Sequence, residues 1–208
     1  AARDAAPGSA DNVHLVAVSK QQPDEKITAA LATGHRLYGE NRVQEATERW
    51  QGRKSDYPDL RLHLIGPLQS NKAADAVALF DVIESVDRPK IAAALAKEMK
   101  AQDRHLPCFV QVNTGEEPQK SGILPADTVA FVAQCRDEWG LDVQGLMCIP
   151  PQTEEPAMHF ALLKKLAGQC DVPHLSMGMS ADFEEAIAFG ADYVRVGSGL
   201  FGARLPRS

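Results

Sequence analysis

Short β-type runs alternate with longer helical segments along the whole chain, and this alternation restricts the available folds more than any other feature. Candidate strands lie at 14–19, 36–39, 61–65, 82–86, 108–113, 143–149, 174–177 and 193–197. The first contains Leu15-Val16-Ala17-Val18, an apolar run of the kind buried on both faces of a parallel sheet. Helical composition fills the gaps. Pro23-Asp24-Glu25-Lys26 opens one helix and Gly34 stops it, the usual proline-in, glycine-out asymmetry. The stretches 71–79 and 89–100 are alanine-rich, and 125–139 and 154–169 continue the pattern. Ser180 is placed to cap a helix whose first turn carries Asp182 and Glu184. A short last helix after residue 198 completes eight strand–helix units. Such alternation implies a parallel sheet with helices outside it. Eight units predict an α/β fold, a closed (β/α)8 TIM barrel, with a doubly wound open sheet as the alternative; 208 residues is near the low end for the barrel. No linker rich in Gly, Ser or Pro divides the chain, so 1–208 reads as one domain with a short irregular segment over 1–12.

A formal net charge of -6 argues against a general nucleic-acid binder, which needs a basic face. Cys108, Cys135, Cys148 and Cys170 are widely spaced with no C-x-x-C pair, so they read as reduced core thiols. The histidines are equally scattered, and no metal site is expected. The N-terminal Ala1 to Ser9 segment has no apolar h-region, and no stretch approaches the length of a bilayer span. A cytoplasmic protein is the expectation.

Chemistry concentrates at strand ends. Lys20 closes the first strand. An ammonium at the rim of a packed core loses hydration, and a lysine in that state is a nucleophile toward aldehydes. The alternative is a lysine that lays its stem over apolar surface and keeps its charge in water. In a (β/α)8 barrel, phosphate usually binds after strands seven and eight. Those strands end in Leu175-Ser176-Met177-Gly178-Met179-Ser180 and Val196-Gly197-Ser198-Gly199. Small and hydroxyl residues let backbone N–H groups approach a phosphate, although glycines in tight turns serve backbone needs alone. Gly197 to Gly202 also satisfies G-x-G-x-x-G, but the Rossmann motif requires a following helix, strand and acid, for which no sequence remains. Arg195 lies within the last strand; alternation permits it to face the bore or the solvent side. Asn41, after strand two, is a plausible ligand contact, whereas Glu40 and His63 read as wall or structural residues. Met147, Met177 and Met179 suit core packing.

Taken with these features, the chain resembles the YggS/PROSC family of pyridoxal phosphate-binding proteins. The matching strings are Val16 to Lys20, Tyr38-Gly39-Glu40-Asn41 with Gln44-Glu45, and His63 to Lys72. Val112-Asn113 through Gly122, Gly145-Leu146-Met147 through Pro151, Leu175 to Ser180, and Val194 to Ser198 continue the likeness. It runs over roughly residues 13 to 204, in order and at normal spacing. The resemblance implies a barrel like the N-terminal domain of alanine racemase, with pyridoxal 5'-phosphate held as an internal aldimine on Lys20. By position it implies Arg195 near the pyridine nitrogen, and Ser176, Gly178, Gly197 and Ser198 around the phosphate. Ser198 stands where the family commonly has Thr, so a hydroxyl is kept. The family also tends to begin with a longer helix before the first strand.

Members of the family are regarded as regulators of pyridoxal phosphate supply. The resemblance therefore implies a homeostasis protein without strong turnover, the alternative being a weak amino-acid racemase of the alanine racemase type. Arginine is always protonated and only donates, so at the pyridine nitrogen it keeps the ring neutral and weakens the electron sink. The sequence as read stops a few residues after its eighth strand, so no second domain supplying an opposing acid/base is expected. The partners expected are pyridoxal phosphate and pyridoxal phosphate-dependent apo-enzymes, with no nucleic acid, no membrane and no metal; a monomer or weak homodimer is expected. A barrel for another phosphorylated metabolite, with Lys20 as a simple electrostatic clamp, is the third reading.

Overall fold

The computed structural model describes residues 13–202; the irregular segment expected over 1–12 lies outside them. Eight strands run in chain order: β1 (His14–Val18), β2 (Leu37–Glu40), β3 (Arg61–Leu64), β4 (Val82–Val86), β5 (Cys108–Val112), β6 (Val143–Cys148), β7 (His174–Met179) and β8 (Tyr193–Val196). Each pairs in parallel with the next, and β8 pairs with β1 through Val16↔Arg195 and Ala17↔Val196, closing the barrel. The predicted (β/α)8 barrel is the observed fold, and the open sheet is excluded.

The helices are α1 (Asp24–Ala32), α2 (Val43–Trp50), α3 (Arg53–Asp56), α4 (Ala73–Leu79), α5 (Pro89–Ala101), α6 (Thr128–Asp137), α7 (Pro156–Cys170), α8 (Phe183–Ala188) and α9 (Ser198–Phe201). The connection between β2 and β3, with α2 and α3, and the start of α8 differ from the sequence reading. No particular helix is expected over 43–50, yet α2 buries Val43, Ala46 and Trp50, which lie at i, i+3 and i+7 on one face. Ser180 does not cap α8; Asp182 is the N-cap residue, and its Oδ1 accepts the Met179 amide at 2.6 Å.

Strand alternation sorts the interior into two layers. Ala17, Tyr38, Leu62, Leu64, Ile83, Val110, Leu146, Leu175, Met177, Val194 and Val196 belong to the apolar cluster between sheet and helices. Their strand neighbours Val16, His63, Glu84, Met147, Ser176 and Arg195 are also buried, so they occupy the bore. The outer layer is dominated by large side chains such as Trp50, Phe80 and Phe160, each stabilising the fold by about 1.5–3 kcal/mol on burial. A polar bore inside an apolar shell makes the open end at the strand C-termini the place for chemistry.

Candidate functional site

Lys20 follows β1, two residues beyond Val18 and at the parity of Val16 and Val18; it is half-buried. Its neighbours are set by the register. Because β1 lies between β2 and β8, the Lys20 turn sits beside the loops that leave those strands. A Cβ at Gly197 would meet the Val18 carbonyl oxygen at 3.5 Å, so the loop after β8 packs directly on the end of β1.

The loops after β7 and β8 are joined through one hydroxyl. Ser180 Oγ accepts the Gly197 amide at 3.2 Å and the Gly199 amide at 3.3 Å. Two backbone N–H groups from one loop therefore converge on a single oxygen. A neutral hydroxyl is a modest acceptor there; a phosphate oxygen makes charge-assisted bonds roughly twice as strong with the same donors. Gly178 makes the turn possible. Its φ is +89°, and a Cβ would lie 2.5 Å from Ala186 Cβ on α8. Ser198 begins α9 and is exposed. The donor set and the glycine turns fit a phosphate-bearing ligand.

Inside the bore a polar chain links five strands, β3, β4, β6, β7 and β8. Arg195 faces inward and is 3% exposed. Its Nη1 donates to Ser176 Oγ at 2.6 Å and its Nη2 to the Cys148 carbonyl at 2.7 Å. Ser176 Oγ donates to Glu84 Oε2 at 2.6 Å, and Glu84 Oε1 lies 2.6 Å from His63 Nδ1. Burial alone would push the Glu84 carboxyl up. The His63 hydrogen bond and positive field, the Arg195 charge and the Ser176 hydroxyl outweigh that, holding it below the usual carboxylate range. A buried guanidinium is tolerable only with such partners.

Lys20, Gly178, Gly197 and Ser198 are thus brought together at the C-terminal mouth, with Arg195 below them in the bore. Asn41 lies at the same end after β2, lining a cavity of about 660 Å³ with Arg42, Pro67 and Ser121, and a second of about 270 Å³ with Gln111 and Asn113. A Cβ at Gly66 would lie 2.3 Å from the Asn41 carbonyl oxygen, so glycine there lets the chain after β3 lie against Asn41. Ser176 is placed differently from the expectation of a phosphate contact. Its hydroxyl is fully buried and committed to Glu84 and Arg195, because Leu175 and Met177 take the outer face and turn it inward. Glu40 faces outward, where it accepts from Ser19, Arg49 and Trp50. Sequence reasoning did not single out Glu84, although a carboxylate inside Val82-Ile83-Glu84-Ser85-Val86 signals a buried partner. All four cysteines are free and buried; burial pushes the Cys135 and Cys148 thiols up to about 12 and raises those of Cys108 and Cys170.

The sequence matches the family described as alanine racemase, N-terminal domain, over residues 2–205. It is also 42% identical over 199 residues to the pyridoxal phosphate homeostasis protein of Pseudomonas aeruginosa, covering 92% of this chain and 85% of that protein. The chain belongs to the pyridoxal phosphate homeostasis protein family. A relative from Escherichia coli with the same name is 36% identical over 205 residues, covering 94% of this chain and 88% of that one. The structure of PipY from Synechococcus elongatus with pyridoxal phosphate bound superimposes with a TM-score of 0.83 at 40% identity, covering 92% of this chain and 93% of that one. Clostridium difficile alanine racemase shares the fold, with a TM-score of 0.74 at 14% identity over 95% of this chain and 54% of that one. Among the described residues no helix is long and apolar enough to cross a membrane.

Proposed function

We propose that this protein binds pyridoxal 5'-phosphate covalently through Lys20 and serves cytoplasmic cofactor supply, delivering it to apo-enzymes that depend on it. The observation that carries the reading is a half-buried lysine beside a loop pair whose two backbone amides already converge on one oxygen. The PipY structure with pyridoxal phosphate bound, at 40% identity, supports it. When bound, the cofactor supplies an aldehyde for reversible bonding to a primary amine and a dianionic phosphate for recognition.

The residues divide the task. Gly197 and Gly199 offer N–H donors to phosphate, with the Ser180 and Ser198 hydroxyls beside them. Gly178 holds the β7 loop close enough for Ser180 to reach across. Arg195, held in the bore by Ser176 and the Cys148 carbonyl, would be the residue to meet the pyridine nitrogen of a bound cofactor. Because a guanidinium has no acceptor, it can donate to the ring nitrogen but cannot stabilise a proton there. That arrangement favours holding the cofactor over strong chemistry at an amino-acid α-carbon. Asn41 supplies an amide at the mouth.

Absorbance titration tests this. Wild-type protein mixed with pyridoxal phosphate should develop a visible band that Lys20→Ala lacks. Pyridoxine 5'-phosphate, which has the phosphate and ring but no aldehyde, should bind both proteins with affinities within about twofold, since the loops are intact in each. An undiminished band in Lys20→Ala would overturn the assignment of the lysine.

A further inference from the structure

Glu40 ends β2 and points away from the bore, toward α2. It is fully buried, and its Oε1 accepts three donors: Ser19 Oγ at 2.7 Å, Arg49 Nη1 at 2.9 Å and Trp50 Nε1 at 2.9 Å. Three donors on one carboxylate oxygen fix the place of the guanidinium from which Arg49 reaches further. Arg49 Nη1 also donates to the Ser19 carbonyl at 2.8 Å, and Nη2 donates to the Gln22 carbonyl at 3.2 Å. The segment closes on itself through the Gln22 amide, which donates to the Ser19 carbonyl at 3.1 Å, with Gln21 in the left-handed region at φ 58°. The guanidinium therefore grips the backbone on both sides of Lys20.

Arg49 also faces Asp24, at 3.9 Å, but Asp24 is 70% exposed and a pair of that kind contributes little. The contacts that matter are those to the turn. A free strand–helix connection would leave the lysine stem to sample many directions; this turn is held by a side chain that is itself anchored on a buried carboxylate. Effects of placement on bond formation are large, since a shift of about 1 Å can cost up to about a hundredfold in rate.

We propose that Arg49 is the positioning residue of Lys20, held for that task by Glu40, whose carboxylate Trp50 also engages; the proposal rests on the reading of Lys20 as the covalent anchor. Arg49 sets the direction from which the amine meets an aldehyde seated by the phosphate loops, and leaves the seating itself to those loops. Lysine at this position keeps the charge but presents one ammonium where two carbonyls and a carboxylate must be bridged, so it restores only part of the effect.

The test follows capture of pyridoxal phosphate in time by borohydride quenching, with quantification of the Lys20 peptide, alongside the affinity for pyridoxine 5'-phosphate. Arg49→Gln should slow capture by about tenfold, while the affinity for pyridoxine phosphate stays within about twofold of wild type. Arg49→Lys should fall between wild type and Arg49→Gln in capture rate, with the same unchanged analogue affinity. Capture at the wild-type rate in either folded variant overturns the proposal, as does a parallel fall of capture and analogue affinity, which marks a general structural role. If Arg49→Gln does not fold, Arg49→Lys alone decides by the same criteria. Wild-type protein that captures nothing would instead overturn the reading of Lys20 on which the proposal rests.

Discussion

Ser176 shows how a single side chain's parity decides its work. Flanked by two apolar residues that face the helices, its hydroxyl has nowhere to go but the bore, where it stands between a carboxylate and a guanidinium. It accepts from Arg195 and donates to Glu84, so it passes negative character to the arginine without direct contact between the charges. Ser176→Ala leaves one guanidinium N–H and one carboxylate oxygen without that partner. We expect it to destabilise the protein by about 1–3 kcal/mol, read from the urea midpoint at constant m-value. An unchanged midpoint would show that the two charges find each other or another partner without the hydroxyl. The same parity argument was open from the sequence for both Ser176 and Arg195, because each lies between two apolar residues. What the sequence does not display is the other end of each bond: Glu84 lies 92 positions from Ser176, and no spacing rule connects them.

At the scale of elements, the site is a meeting of three loops that follow β1, β7 and β8. Closure of the barrel makes them neighbours, since β8 returns to pair with β1. The β7 loop depends on Gly178, whose backbone is left-handed and whose Cα lies against α8. Gly178→Ala combines an unfavourable φ with a Cβ 2.5 Å from Ala186 Cβ, a backbone-borne contact that requires the helix to move. The expected cost is on the order of 1–3 kcal/mol in urea unfolding. Pyridoxine phosphate affinity should fall as well, because the displaced loop carries Ser180. Wild-type stability and affinity in this variant would refute the role given to the turn. Strands were legible because each is an apolar run bounded by turn formers, and most helices because of their composition. The α2 helix was less so: its polar residues mask a buried face of only Val43, Ala46 and Trp50. The role of Ser180 was hidden for another reason. The sequence places it correctly to end a strand and precede a helix, but its hydroxyl serves amides 17 and 19 positions away across a barrel seam.

For the whole molecule, the polar bore ties stability to pH. Glu84 is held below its ordinary value of 4.5 in the folded state, so the unfolded chain takes up this proton more readily than the folded one. Its stabilising contribution is complete above that ordinary value and is lost as pH falls through the lower folded value. Asp87 works in the opposite sense. Burial raises its carboxyl above 3.8, so its protonation favours the folded state. We expect urea midpoints measured from about pH 7 down to about pH 3 to fall on the acid side. Glu84→Gln should be less stable at neutral pH, with a shallower acid decline than wild type; an identical acid slope would show that Glu84 is not the linked group.

The central claim is that Lys20 bonds the cofactor while the loops of β7 and β8 hold its phosphate. Its most direct measurement is borohydride reduction of protein saturated with pyridoxal phosphate, followed by peptide mass spectrometry under native and denaturing conditions. One dominant adduct is expected, on the peptide containing Lys20, formed by the folded protein and competed away by pyridoxine phosphate. An adduct spread evenly over exposed lysines such as Lys72 and Lys97, or one on Lys20 that the competitor leaves untouched, would contradict it.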